Sequence, residues 1–113
     1  MLDEIDFDHQ QPTTLFLEVI LPLALPINYT YRVPIELNHL VAVGKRVIVQ
    51  FGKNRMYTAI IRSIHGTAPQ HYTAKYIIDV IDEQPIIYPK QLDFWRWISK
   101  YYMCHEGDVM SAA

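Results

Sequence analysis

The residues of this chain best suited to chemistry are aromatic and basic, not nucleophilic. Tyr29, Tyr31, Phe51 and Tyr57 are interleaved with Arg32, Lys53, Arg55 and Lys75. Flat π faces beside mobile positive charge are the ingredients of a stacking platform next to a phosphate groove, which is how small barrels hold single strands. A tyrosine on a strand also packs well with its ring half-buried and its hydroxyl at the rim. On these residues alone the reading is therefore a small β-barrel that binds nucleic acid or protein. Patterns that would make an enzyme are missing. Gly52-Lys53-Asn54 is a lone Gly-Lys pair, where a Walker-type loop needs a glycine-rich run ending in Lys and Ser/Thr. Ser63, Ser99 and Ser111 stand in ordinary strand or helix contexts, with no base in register. Asp79, Asp82 and Glu83 come just before Pro85, the pattern of a strand leaving a sheet and not of paired catalytic acids. Cys104 is the single cysteine and His105 merely its neighbour, so neither a disulfide nor zinc-ligand spacing arises, and Cys104 reads as inert packing. No catalytic residue, metal or cofactor is expected in this chain.

These side chains need a scaffold, and 113 residues, half of them hydrophobic and 19% charged, fit one globular domain. The net charge of −2 is unevenly spread, because Asp3, Glu4, Asp6 and Asp8 crowd the start. Without them ten basic residues face eight acidic ones, and Lys45, Arg46, Lys53, Arg55 and Arg62 gather in one stretch. The folded part is mildly basic, which permits phosphate binding without requiring it. Residues 1–12 read as a flexible acidic leader ending at Pro12, and residues 13–113 as the domain. The apolar run Val19 to Leu25 is broken by Pro22 and is far short of a bilayer span, and the acidic N-terminus does not resemble a secretory signal, so a cytoplasmic location is expected.

Strand signals dominate. LFLEVIL from Leu15 is rich in β-branched and aromatic residues and stops at Pro22. LPLALPIN carries two prolines and reads as an extended loop. In NYTYRV the two-residue period sets Tyr29, Tyr31 and Val33 on one face and Thr30 and Arg32 on the other. RVIVQF and MYTAIIRSI flank a turn, Phe51 to Arg55, where Gly52 permits positive φ, so residues 46–64 read as a hairpin. HGTAPQHYTA is a loop, and KYIIDVID a last strand. Five short strands without helical crossovers predict a mainly β fold, a small antiparallel barrel or sandwich, followed by one aromatic-rich α-helix. That helix should run from about Pro89 to Met103, with Leu92, Trp95, Ile98 or Ser99, and Tyr102 as its core stripe and Phe94, Trp97 and Tyr101 widening it. Gly107 reads as its C-terminal cap, and Asp108 as the N-cap of a further element.

Three segments occur in a telling order: LPLALPINYTYRVP, then VGKRVIVQFGKNRMYTAIIRSI, then AKYIIDVIDEQPIIYPKQLDFWRWISKYYMCHEGDVMSAA. Together they resemble the N-terminal, 3′-DNA-binding domain of the PriA family of replication-restart helicases, over about residues 15–113. The resemblance implies an OB-like module that holds the 3′ end of the nascent leading strand at stalled forks. Its partners would be single-stranded or forked DNA with a 3′ end, other domains of the same polypeptide and, for the full-length protein, primosome proteins and single-stranded DNA-binding protein. ATP, magnesium and zinc are implied only for later parts of that helicase. The family's terminal-nucleotide pocket maps onto Tyr29, Thr30, Tyr31, Gly52 and Lys75, with Lys53 and Arg55 as candidate phosphate contacts. Thr30 departs from the family's pattern, in which an aspartate accepts from the terminal 3′ hydroxyl. The alternative reading is an architectural barrel that docks other domains of the helicase without recognising a 3′ end.

Overall fold

The structure, a computed structural model, describes residues 13–25, 27–101 and 105–112. The leader and the expectations for Tyr102, Met103 and Cys104 lie outside the described residues. All five strands form where the residue pattern placed them: β1 (Phe16–Ile20), β2 (Tyr29–Arg32), β3 (Arg46–Gln50), β4 (Met56–His65) and β5 (Asp79–Val80). They make one antiparallel sheet in the order β2-β1-β4-β3-β5. Alternation decides the packing. Leu17, Val19, Tyr31, Val33, Val47, Val49 and Ile61 point into one core, while Ile20 and Ile60 leave the other face and meet Leu92 and Trp95. A 3₁₀ helix, Ile35–Leu40, follows Pro34 and was not anticipated from the sequence.

The sheet is not closed, so the OB-like barrel holds only loosely. β5 has two ladder residues and pairs with β3 alone. The far edge, β2, takes its backbone bonds from the segment before β5, where the Arg32 N–H donates to the Lys75 carbonyl at 2.7 Å and the Ile77 N–H to the Arg32 carbonyl at 2.9 Å. This is one isolated parallel bridge, Arg32 to Tyr76, and not a ladder. Residues 75–77 serve β2 and residues 78–81 serve β3, so neither edge receives enough partners to complete a barrel.

Among the described residues two helices follow the sheet, the aromatic-rich one and a second where the sequence placed the start of a further element. The first, α1 (Pro89–Tyr101), buries Leu92, Trp95 and Ser99, while Phe94 and Trp97 are 57% and 56% exposed. Its buried stripe is therefore narrower than the aromatic content implied. The second, α2 (Glu106–Ala112), starts before the expected N-cap. Asp108 lies inside it and its Oδ2 accepts the His105 N–H at 3.2 Å, the backward half of a capping box. Gly107 is likewise inside α2 and caps nothing. A Cβ there would collide with the Leu21 and Leu23 carbonyls, so glycine is needed for the helix to lie against the loop after β1.

A polar cluster ties α2 to the sheet. Between Glu18 and Val19 the β1–β4 register shifts, leaving Arg62 as the extra residue of a bulge. Arg62 Nη2 lies 3.2 Å from Glu106 Oε2, with both side chains about one-tenth exposed or less. Asn28 Nδ2 donates to Glu106 Oε1 at 2.8 Å and to Glu18 Oε2 at 3.2 Å, and the Ser63 hydroxyl donates to Glu18 Oε1 at 3.1 Å. Glu106 Oε2 has no aligned donor, so the pair acts by proximity and fixes where the helix sits more than it stabilises the fold.

Candidate nucleic-acid interface

β2 is an edge strand, and alternate residues of such a strand turn their peptide groups outward. Val33 donates inward, to the Leu15 carbonyl. Thr30 and Arg32 therefore face the free side, where Arg32 meets the 75–77 segment and the Thr30 N–H donates to the Tyr72 hydroxyl at 2.9 Å. The ring of Tyr31 points the other way, into the core, and is 4% exposed. Its hydroxyl donates to the Gln50 carbonyl at 2.7 Å, joining β2 to the end of β3 across the gap in the sheet. Burial, with smaller contributions from Tyr72 and Tyr29, pushes the Tyr31 phenol up to about 12.

The aromatic residues at this opening pack edge to face or tilted. Tyr29 and Phe51 centroids are 5.0 Å apart at 66°, Tyr29 and Tyr72 are 5.8 Å apart at 53°, and Phe51 and Tyr57 are 6.4 Å apart at 70°. Below them the β3–β4 turn is closed by the Phe51 N–H donating to the Arg55 carbonyl at 3.0 Å. Gly52 takes φ +73°, as the sequence anticipated, and Asn54 takes φ 64°. Nothing lies within 4 Å of a Cβ built on Gly52, so the backbone angle calls for glycine and leaves open space above the turn.

These elements enclose a cavity of about 250 Å³. Tyr29, Thr30, Tyr31, Gly52 and Lys75, drawn from a strand, a turn and a loop, all line it. Lys53 and Arg55 do not, and stand exposed on the turn beside it. Sequence reasoning missed Tyr72, Thr73 and Gln50, which complete the lining. Tyr72 carried one faint signal, a tyrosine three residues before Lys75 in an otherwise small and polar loop. The Gln50 carbonyl accepts from the Tyr31 hydroxyl, a backbone contact to which side-chain patterns are blind.

The basic stretch divides by role. Arg46 grips Asp82 with Nη2 to Oδ1 at 2.8 Å and Nε to Oδ2 at 3.1 Å, while its own N–H donates to Oδ2 at 2.8 Å. The guanidinium hydrogen bond holds the Asp82 carboxyl below the usual carboxylate range, and Asp82 in turn raises the Arg46 guanidinium. Asp82 is thus a clamp between β3 and the chain after β5. Lys45 is buried with Nζ donating to the Leu40 carbonyl at 2.7 Å, and Arg62 is engaged with Glu106. Lys75, in the cavity lining, and Lys53 and Arg55, on the turn that carries Gly52, are exposed. Among the described residues no group of three or more His, Cys, Asp or Glu is placed to hold a metal, and no helix is long and apolar enough to cross a membrane.

The profile of the 3′ DNA-binding domain (3′BD) family of PriA matches residues 18–113. The replication restart protein PriA of Chlamydia trachomatis is 30% identical over 105 residues, covering 89% of this chain and 14% of that protein. The replication restart protein PriA of Treponema pallidum is 28% identical over 101 residues, covering 86% of this chain and 15% of that protein. The chain spans only about one seventh of the length of these relatives. With a five-stranded sheet, an aromatic opening at its free edge and this match, the chain belongs to the PriA 3′ DNA-binding domain family, whose members are binding and not catalytic domains.

Proposed function

We propose that this chain holds the 3′ end of a DNA strand in the cavity between β2, the Phe51–Arg55 turn and the loop before β5, as one module of a replication-restart helicase. The observation that carries the reading is convergence: five residues assigned from three separate segments line one cavity. In this reading the terminal base lies against the Tyr29 and Phe51 rings, gaining stacking and desolvation. Lys75, at the rim, neutralises a phosphate, and Lys53 and Arg55 add longer-range attraction. Thr30 supplies a neutral acceptor for the terminal 3′ hydroxyl, without the charge assistance of a carboxylate. The module needs no cofactor of its own. ATP, magnesium and zinc serve the rest of the full-length helicase, which works in the bacterial cytoplasm with primosome proteins and single-stranded DNA-binding protein.

The test is a titration of this domain with labelled single strands ending in a 3′ hydroxyl or a 3′ phosphate. Tighter binding of the free hydroxyl, weakened by Tyr29→Ala, is the expected result. Equal affinity for both ends would sink end recognition. A second reading, an architectural module that docks other domains of its polypeptide, is favoured by Phe94 and Trp97, exposed on α1 and stacked at 6.1 Å and 12°. Failure to bind either oligonucleotide would put that reading in front.

A further inference from the structure

Beside the cavity just described, the same strand edge forms a second one. Thr30 and Arg32 share an edge and a face of β2, two residues apart, about 7 Å along an antiparallel strand. Thr30 lines the first cavity, and Arg32 lines a neighbouring one of about 410 Å³. The facing segment makes the same handover, since Lys75 lines the first cavity and the next residue, Tyr76, the second. Backbone bonds hold the pair in place: Arg32 donates to the Lys75 carbonyl and accepts from the Ile77 N–H, so Arg32 and Tyr76 sit opposite each other in the parallel bridge. The Arg32 guanidinium carbon lies 5.1 Å from the Tyr76 ring centroid. Tyr76 is nonetheless 51% exposed, and Ile35, on the other wall, is 57% exposed.

Tyr76 and Ile35 thus present apolar surface on two sides of a cavity beside a guanidinium, the mixed surface that a base with its phosphate would meet. We propose that Arg32 and Tyr76 form a second nucleotide subsite, which takes the base next to the strand terminus. This rests on the reading that the terminus itself occupies the first cavity. Continuity favours a nucleotide as the occupant, because the two cavities share an edge and the step between them is two strand residues. Charge favours it too: each cavity has its own cation, Lys75 in the first and Arg32 in the second, to meet the phosphates of a strand that passes over the edge between them. Glu36 also lines the second cavity, and a carboxylate only accepts hydrogen bonds, so that wall suits the edge of a base and excludes a phosphate. The Tyr76 ring supplies the stacking surface, with Arg32 polarising it from one side.

The experiment uses three single-stranded oligodeoxynucleotides with free 3′ hydroxyls: one intact, one abasic at the terminal residue and one abasic at the residue before it. The parent should bind the penultimate-abasic strand roughly ten-fold more weakly than the intact one, as befits the loss of one stacked base. Tyr76→Ala should bind these two strands equally and at the weaker level, while Tyr76→Phe, which keeps the ring, should behave as the parent. Both variants change an exposed side chain and should melt with the parent. Equal parent affinity for the intact and penultimate-abasic strands, or discrimination that survives Tyr76→Ala, overturns the subsite. The terminal-abasic strand separates this outcome from failure of the underlying reading: if it binds like the intact strand, the first cavity does not hold the end, and both proposals fall together.

Discussion

The peptide N–H of Thr30 donates to the hydroxyl of Tyr72, 42 residues later, at 2.9 Å. The edge of β2 would otherwise present that donor to solvent or to another chain. Tyr72 thus brings the loop before β5 against the strand and adds a wall to the cavity, and its hydroxyl keeps its own proton to donate to a ligand oxygen. Tyr72→Phe removes the acceptor and leaves the ring. Because the bond is solvent-accessible, water replaces part of it, and stability should fall by no more than about 1 kcal/mol. Binding of 3′-ended strands should weaken by a comparable amount on top of that. Urea melts and DNA titrations of the two proteins check this, and unchanged DNA affinity would remove Tyr72 from the interface.

Within the cavity, stacking and the terminal contact should separate by magnitude. Tyr29→Ala should cost roughly 1–3 kcal/mol of binding, the scale of one base on an aromatic surface. Thr30→Ala should cost about 0.5–1.5 kcal/mol and lower the preference for a free 3′ end more than the overall affinity. Thr30→Asp should sharpen that preference, since a carboxylate accepts from a hydroxyl more strongly and repels a 3′ phosphate. The readout is the affinity ratio between 3′-hydroxyl and 3′-phosphate oligonucleotides. A ratio unchanged in all variants would place the strand end elsewhere.

Two neighbours on α1 should respond oppositely to truncation. Trp95 is 8% exposed and packs with Ile20, Ile60 and Leu92, so Trp95→Ala should cost about 3–5 kcal/mol. Phe94 is 57% exposed, and Phe94→Ala should change stability by about 0.5 kcal/mol or less. Denaturant midpoints at equal m-value measure both. Similar midpoints for the two variants would show that α1 is rotated from the orientation described.

Tyr31 makes stability fall at alkaline pH. Its phenol is raised from 10.0 to about 12, so above pH 10 the unfolded chain loses this proton while the folded chain keeps it. Unfolding then releases a proton, and the stabilisation held below pH 10 is lost progressively as pH rises towards 12. Tyr31→Phe should cost about 1–2 kcal/mol near neutrality, because the Gln50 carbonyl loses its donor. It should also flatten the decline in melting temperature between about pH 10 and about pH 12. A variant whose decline runs parallel to the parent's would assign the alkaline loss to other groups.

The sequence by itself determined the strands and the hairpin. Alternation in LFLEVIL, NYTYRV and RVIVQF is a local signal, and burying one face of each segment enforces it. It also determined Gly52, whose positive φ is a property of a single turn, and the outline of α1, whose Leu92 and Trp95 recur at helical spacing. Family resemblance, carried by the order of three segments, named five residues as one pocket, and these five line one cavity.

Only the tertiary structure decided the rest, because it depends on residues distant in the chain arriving at one place. Tyr72 joins the cavity through a bond to a peptide group, which leaves no trace in side-chain pattern. Gly107 follows a polar segment as a cap would, yet its space is taken by the Leu21 and Leu23 carbonyls, which only docking of α2 brings there. Of five basic residues in one stretch, Lys45, Arg46 and Arg62 are claimed by Leu40, Asp82 and Glu106, leaving Lys53 and Arg55 exposed. A charge run shows how many cations there are, but which of them remain for phosphate is set by the partners that folding places beside each.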